Sequence, residues 1–406
     1  MERLRQIQGH LTSSSSKMSD NQTTSINPQT KQTSDESLYL TGSPLNRLSF
    51  LRGDTEFIQL ASTHSSAKFI IFDRDLTLIS TDKSDKTISL YKASYEQLKS
   101  VVDQWASYNN TKGQDLRIND VRITFLGVQE SDDPSVFQYK RYQGSPYFAI
   151  DLCNESNLLQ DIISTSSQEL SLIKDRKQLF HLSHFDVSLF SHSKMYLDWL
   201  QRTKFCSGCG SQVIAYEAGT KLLCSSTNVH SETGKFQCIV KSASVSNASF
   251  PRTDPVIITA ITTPSYSKVL LARGRRFPVP MYSCVAGFME PSETIEEASR
   301  REVWEETGIR IGNGEEETVE VVKSQPWPYP VNLMVGCLAF VREDDEQRID
   351  LTHDAELLDA KWVNTRVLKE MVHGAKADSD WFLPPKEAIA HWLIKEVINR
   401  FDKLSQ

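Results

Sequence analysis

"GFMEPSETIEEASRREVWEETGI", residues 287–309, crowds glutamate onto a segment with a helical spacing of apolar positions. At about 100° of turn per residue, Glu305 and Glu306 flank Glu302 within an arc of roughly 100°. Ile295, Ala298 and Ile309 fall in the same arc. A solvated face would keep its charges off the apolar stripe. Three like charges on a core-facing stripe cost on the order of several kcal/mol apiece through desolvation and repulsion. The pattern therefore predicts a cation that gathers them, and hard oxygen ligands point to Mg²⁺ or Mn²⁺.

The flanks predict a well-defined helix. Thr294 with Glu297 reads as a capping box, Gly308 as a left-handed stop, and Pro291 with Ser292 as the turn leading in. Gly287 frees the backbone at the start of the loop, and Arg301 is placed to pin the loop to the helix through Glu293. Gly287, Glu293, Arg301, Glu302, Val303, Glu305, Glu306, Gly308 and Ile309 fill every fixed place of G-x5-E-x7-R-E-U-x-E-E-x-G-U, with U aliphatic. In this the stretch resembles the Nudix box.

With 406 residues, 39% of them hydrophobic, the chain has room for two or three ordinary cores. The net charge of −7, from 45 Lys and Arg against 52 Asp and Glu, does not favour a duplex nucleic-acid binder. An anionic substrate would need local cations. No apolar run reaches the roughly 18 residues of a membrane span, and no apolar signal core opens the chain, so no membrane partner is expected.

Residues 1–40 are polar, include the run "SSSS", and read as a disordered tail. Residues 41–200 form the expected N-terminal domain, with strands at "AKFIIF", "VRITFLGV" and "SPYFAIDL" and a helix at "HSKMYLDWL". Residues 201–248 carry "CSGCG". Cys206 and Cys209 make a C-x2-C knuckle, and Cys224 and Cys238 complete four thiolates suited to structural Zn²⁺. The second pair is spaced more widely than a usual knuckle, and His230 between its members competes as a ligand. Cys153, Cys284 and Cys337 read as buried small hydrophobes. Residues 249–406 form the last domain, with strands at "FPRTDPVIITAIT", "KVLLAR", "LMVGCLAFV" and "DAKWV" and a closing helix at "KEAIAHWLIKEVINRF".

A second motif, "SQPWPYP" at residues 324–330, reads as a proline-stiffened loop presenting Trp327 and Tyr329 as a stacking surface for a planar base. Together with the preceding cysteine cluster it resembles S-Q-P-W-P-F-P-x-S, the hallmark of the NADH pyrophosphatase branch of the Nudix hydrolases, fungal members above all. Tyr329 replaces the usual Phe, and Asn332 stands at the terminal Ser.

The resemblance implies an α/β (α+β) fold: a C-terminal Nudix α/β/α sandwich, preceded by a zinc ribbon and a strand-rich N-terminal domain. It implies that Glu302, Glu305 and Glu306 are catalytic and hold Mg²⁺ or Mn²⁺ with Glu356. It assigns substrate contacts to Phe250, Ala286, Phe288, Gln325, Trp327, Tyr329, Asn332 and Ala390. The implied reaction splits the pyrophosphate of NADH or NAD⁺ into nicotinamide mononucleotide and AMP, and extends to NAD-capped RNA, where the bond broken is the same. It also implies a homodimer and a peroxisomal or cytoplasmic location, although the terminal "LSQ" is not the usual peroxisomal tripeptide. Two other readings of the same residues are a hydrolase of ADP-ribose or dinucleoside polyphosphates, and an inactive binding module.

Overall fold

The structure is a computed structural model. It places residues 38–110, 121–173, 175–226, 238, 251–277, 280–291, 293–312, 319–341, 348–353, 356–374 and 381–405. Along the strands alternate side chains enter different cores, and this period of two sets the layering.

In the N-terminal half, β1 (Lys68–Asp73), β2 (Leu76–Thr81), β3 (Ile88–Leu90), β4 (Lys92–Ala93), β5 (Arg122–Glu130), β6 (Phe137–Tyr139), β7 (Tyr142–Asp151) and β8 (Glu169–Ile173) share one sheet. Its path runs β3-β2-β1-β7-β5, with β1 and β7 parallel. Phe69 and Ile71 pack under helices α1 (Thr55–Thr63), α2 (Tyr95–Asn110) and α3 (Ser156–Thr165). Ile70 and Phe72 face the other way, toward α4 (Arg176–Leu179) and the long α5 (His184–Arg202). α5 leads directly into a two-stranded ribbon, β9 (Val213–Tyr216) and β10 (Lys221–Cys224), whose Leu222 joins the α5 core.

The C-terminal half is a second three-layer unit. β11 (Asp254–Thr262), β12 (Lys268–Gly274), β13 (Val285–Phe288), β14 (Val319–Trp327), β15 (Asn332–Phe340) and β16 (Leu357–Asn364) form its sheet, along the path β14-β15-β11-β12-β16 with β13 on β11. Val269 and Leu271 enter the core of α7 (Thr365–Val372) and α8 (Ile389–Leu404), whereas Leu270 and Ala272 enter that of α6 (Ile295–Thr307). Val303 and Leu393 anchor the two outer layers at 0% exposure. Truncating either to alanine removes packing worth about 2–5 kcal/mol.

The halves share a boundary. Leu38 is buried in the α8 core and Leu40 in the α5 core, so these residues belong to the packed fold, not to the expected tail. The rest of that tail lies outside the described residues. "SQPW" is not loop: it is the end of edge strand β14, and the turn begins at Pro328. Pro326 is tolerated because an edge strand has a side that needs no ladder donor. Cys284 and Cys337 are buried as expected, but Cys153 is half-buried with its Sγ 3.4 Å from Arg122 Nη1. Among the described residues no helix is long and apolar enough to cross a membrane.

Candidate active site

Helix α6 is fixed at both ends. Thr294 Oγ1 accepts from Glu297 N at 3.2 Å while the Glu297 carboxylate accepts from Thr294 N at 2.7 Å. Gly308 closes the other end at φ 72°, a conformation that strains side-chain-bearing residues. Between these caps the three carboxylates are graded in depth: Glu306 is 5% exposed, the Glu302 side chain 14% and the Glu305 side chain 38%. The predicted stripe is therefore a gradient from core to surface.

The cation that gathers two of them is within the motif. Arg301 spends all five N–H donors locally. Two go to Glu293 at 2.6 and 2.9 Å, one to Glu302 at 2.8 Å, one to Glu305 at 3.0 Å and one to the Phe288 carbonyl at 2.8 Å. This is the expected loop-to-helix pin, and it also holds two carboxylates in place. Arg301 pulls the Glu293 carboxyl down to about 2. Burial pushes Glu302 above the ordinary carboxylate range, against Arg301 and with the help of the nearby Glu305 and Glu356 charges. One guanidinium thus faces three carboxylates, and two more line the adjoining cavity. The cluster keeps an excess of negative charge, and its donors are all oxygen, which fits a hard divalent cation.

Gly287 serves the cluster by its lack of a side chain. A Cβ there would lie 2.0 Å from the Glu302 carboxyl carbon. The requirement is steric, not the conformational freedom read from the sequence.

Beside the cluster opens a cavity of about 960 Å³, large enough for a dinucleotide. Of the predicted residues, Ala286, Glu306, Gln325, Trp327, Glu356 and Ala390 line it. Gln325 is fully buried and its amide is committed: Nε2 donates to the Tyr39 and Glu387 carbonyls at 2.8 and 2.9 Å, and Oε1 accepts from Ile389 N at 2.9 Å. It ties the N-terminal segment, β14 and α8 together at the cavity wall. Trp327 makes an edge contact with Tyr329, ring centroids 5.4 Å apart, and Tyr329 packs toward the α5 core. Phe288, 56% exposed, lies beside the carboxylates but not among the cavity's lining residues. Asn332 is also outside that lining, with its Oδ1 buried and unpartnered among the described residues. Phe250 lies outside the described residues.

Sequence reasoning missed other lining residues. Arg275, Arg276 and Phe277 follow directly after β12, and Lys177 and Phe180 reach in from the N-terminal half. "GRRF" at 274–277, two cations and an aromatic after a strand end, was a readable signal for an anionic ligand. Nothing local marks Lys177 or Phe180, which arrive through tertiary packing.

The four predicted cysteines also meet, their sulfurs all within 4.8 Å of one another. Cys206 and Cys238 sulfurs are 3.6 Å apart, and Cys209 and Cys224 sulfurs 3.4 Å. These distances are too long for disulfides and near the edge of about 3.8 Å of a tetrahedron with metal–sulfur bonds of about 2.3 Å. Hydrogen bonds from Ser211 pull the Cys209 thiol down, as ligation requires, while burial pushes Cys206 up. His230 lies outside the described residues, and the sulfur cluster is complete without it.

Comparison with known proteins agrees with this geometry. The NUDIX domain family model matches residues 251–382. The NAD-capped RNA hydrolase NPY1 of Saccharomyces cerevisiae is 40% identical over 376 residues, covering 89% of this chain and 95% of that protein. The NAD-capped RNA hydrolase of Schizosaccharomyces pombe is 32% identical, covering 88% and 92% respectively. Human NAD-capped RNA hydrolase NUDT12 is 31% identical, covering 89% of this chain and 73% of its own. At this identity and coverage the chain belongs to the fungal NADH pyrophosphatase branch of the Nudix hydrolases.

Proposed function

We propose that this enzyme hydrolyses the pyrophosphate bond of NADH and NAD⁺ to nicotinamide mononucleotide and AMP, and removes NAD from the 5′ ends of RNA. The observation that carries the reading is the excess-negative cluster of Glu302, Glu305 and Glu306 abutting a cavity of about 960 Å³ that Glu306 and Glu356 line. Relatives named NAD-capped RNA hydrolase and NAD(P)H pyrophosphatase support the substrate class. NADPH is included on the same ground.

We assign Glu302, Glu305, Glu306 and Glu356 to holding Mg²⁺ or Mn²⁺. When bound, such an ion supplies positive charge that brings the pyrophosphate to these carboxylates and polarises phosphorus toward attack by water. The chain's own groups do the positioning. Arg301 fixes the orientation of Glu302 and Glu305. Trp327 offers a flat wall for a ring of the dinucleotide, braced by Tyr329. Ala286 and Ala390 leave room at the cavity wall, and Gln325 holds that wall together. Phe288, Asn332 and Phe250 belong to this assignment through the resemblance.

The four cysteines would hold structural Zn²⁺ in a ribbon spanning residues 201–248, between an N-terminal domain at 41–200 and the Nudix domain at 249–406. A closed four-thiolate site has no open position for chemistry. Homodimerisation, and a peroxisomal or cytoplasmic location, rest on the resemblance alone; sedimentation and imaging of the tagged chain test them.

The function is tested by kcat/KM across NADH, NAD⁺, NADPH, ADP-ribose, a dinucleoside polyphosphate and NAD-capped RNA. NADH and the capped RNA should lead. A lead for ADP-ribose or the polyphosphate contradicts the substrate assignment, and no turnover of any of them favours a binding module.

A further inference from the structure

Lys361 stands in the middle of β16, half-buried, with its ammonium enclosed by aromatic rings. The Nζ lies 3.8 Å from the centroid of the Tyr282 ring and 3.9 Å from that of Trp381. The two rings meet edge to face, 5.4 Å apart at 70°. Among the described residues this Nζ has no ion pair and no hydrogen bond. Asp359, two positions back on the same face of the strand, accepts instead from the Tyr282 hydroxyl. Burial pulls the Lys361 ammonium below the usual lysine range, against the charge of Asp359. A cation partly stripped of water leans on ring faces more strongly than an exposed one.

The three side chains come from segments far apart in the chain. Tyr282 precedes β13, Lys361 lies in β16, and Trp381 is on the approach to α8. Directly after Trp381, the residues Phe382, Leu383, Pro384 and Pro385 all line the catalytic cavity, as does Met281 beside Tyr282. Phe382 N donates to the Pro280 carbonyl at 3.1 Å, and Tyr282 N to the Phe382 carbonyl at 3.0 Å. Pro384 and Pro385 carry no N–H and cannot extend that ladder. At the far end the His391 ring donates through Nδ1 to the Pro384 carbonyl at 2.9 Å. Between these ties the position of the wall depends on side chains, and the Tyr282–Lys361–Trp381 cluster grips its start.

We propose that Lys361 is a positioning residue for the substrate: its ammonium, held between Tyr282 and Trp381, sets the Phe382–Pro385 wall against which the dinucleotide lies. The inference rests on the reading of this cavity as the dinucleotide site. Lys361 does not itself line the cavity and acts through Trp381. The wall from Phe382 to Pro385 offers aromatic and apolar surface, with no side chain that takes a proton or holds an ion. Losing its position therefore costs binding of substrate and transition state alike, and leaves bond cleavage in place.

The test is steady-state hydrolysis of NADH by the full-length, metal-loaded protein, parent and variants, with thermal midpoints measured alongside. Lys361→Met keeps a long side chain and removes the cation, so KM should rise about tenfold while kcat stays within about twofold of the parent's. Lys361→Arg keeps the charge and stacks on rings, and should restore KM. Trp381→Phe leaves a weaker ring for the cation and should raise KM by a smaller factor than Lys361→Met, which keeps the result readable if the methionine variant folds poorly. An unchanged KM in both Lys361→Met and Trp381→Phe, with or without a lower midpoint, overturns the inference and leaves NADH as the substrate. A fall in kcat at constant KM, or a raised KM that arginine does not restore, overturns it as well. No turnover of NADH by the parent overturns the reading of the cavity, and this inference with it.

Discussion

The carboxylate cluster and the thiol cluster are both gatherings of acidic ligands, yet the chain prepares them differently. The carboxylates lie on one capped helix, with Arg301 bonded to Glu293, Glu302 and Glu305 at 2.6 to 3.0 Å. Their arrangement has its own counter-charge and a core residue, Val303, beneath it. The thiols come from a knuckle, a strand end and a distant Cys238, and among the described residues Val213 is the one hydrophobic side chain besides the cysteines packed in their cluster. The lesson is about what a bound metal would do for each. The helix should keep its shape without an ion and lose only chemistry, whereas the ribbon should lose its shape.

The largest expected effect is on chemistry. Glu305→Gln keeps the length of the side chain and removes its charge, so NADH hydrolysis should fall by about a hundredfold or more. Its thermal midpoint should match the parent's, since the side chain is 38% exposed. A matching midpoint with undiminished turnover would show that the helix is not the catalytic element. Gly287→Ala comes next. A new Cβ 2.0 Å from the Glu302 carboxyl carbon must displace that carboxylate, and kcat should drop roughly 10–100-fold.

The thiol side of the comparison is sharpened by chelation. A chelator strong enough to strip thiolate-bound zinc should lower the thermal midpoint by several degrees, and Cys224→Ser should do the same. Removing magnesium with a weak chelator should stop hydrolysis and leave the midpoint in place. If both treatments moved the midpoint equally, the two clusters would not differ as described.

Trp327→Ala should cost about 1–3 kcal/mol of base stacking, read as roughly a tenfold rise in KM for NADH with a smaller change in kcat. The smallest effect concerns the loop pin. Arg301 lowers the Glu293 carboxyl from 4.5 to about 2, so the folded state favours the ionised form. That stabilisation is complete above pH 4.5 and fades as pH falls toward about 2. The urea midpoint of the parent should therefore exceed that of Glu293→Gln near neutrality, and the gap should close across this acid window.

Legibility in the sequence tracked locality. The capping box, the Gly308 stop and the Arg301–Glu293 pin lie within one stretch of chain, and periodicity with spacing was enough to place them. β1, β5, β7, β11, β12, β15 and β16 were readable from their β-branched and aromatic runs, whereas β2, β3, β4, β6, β8, β13 and β14 were not. What escaped depends on residues far apart in the chain. "SQPW" looked like loop because its prolines argue against a strand; it is a strand because β15 pairs with it from Trp327↔Asn332 onward. Gly287 looked like a hinge because the carboxylate that needs its space is fifteen positions away in the chain and adjacent only in the fold. Gln325, a substrate contact by resemblance, lines the cavity with its amide bonded to Tyr39, Glu387 and Ile389, partners that no local pattern reveals. Lys177 and Phe180 could not be seen at all, because the cavity they line exists only once the two halves meet.

The most direct test of the account is product analysis after incubating the purified parent and Glu305→Gln with NADH, each with and without Mn²⁺. The account predicts reduced nicotinamide mononucleotide and AMP from the parent only when the ion is present, and almost none from the variant. Products formed equally without the ion, or equally by the variant, would contradict a catalytic role for the glutamate helix.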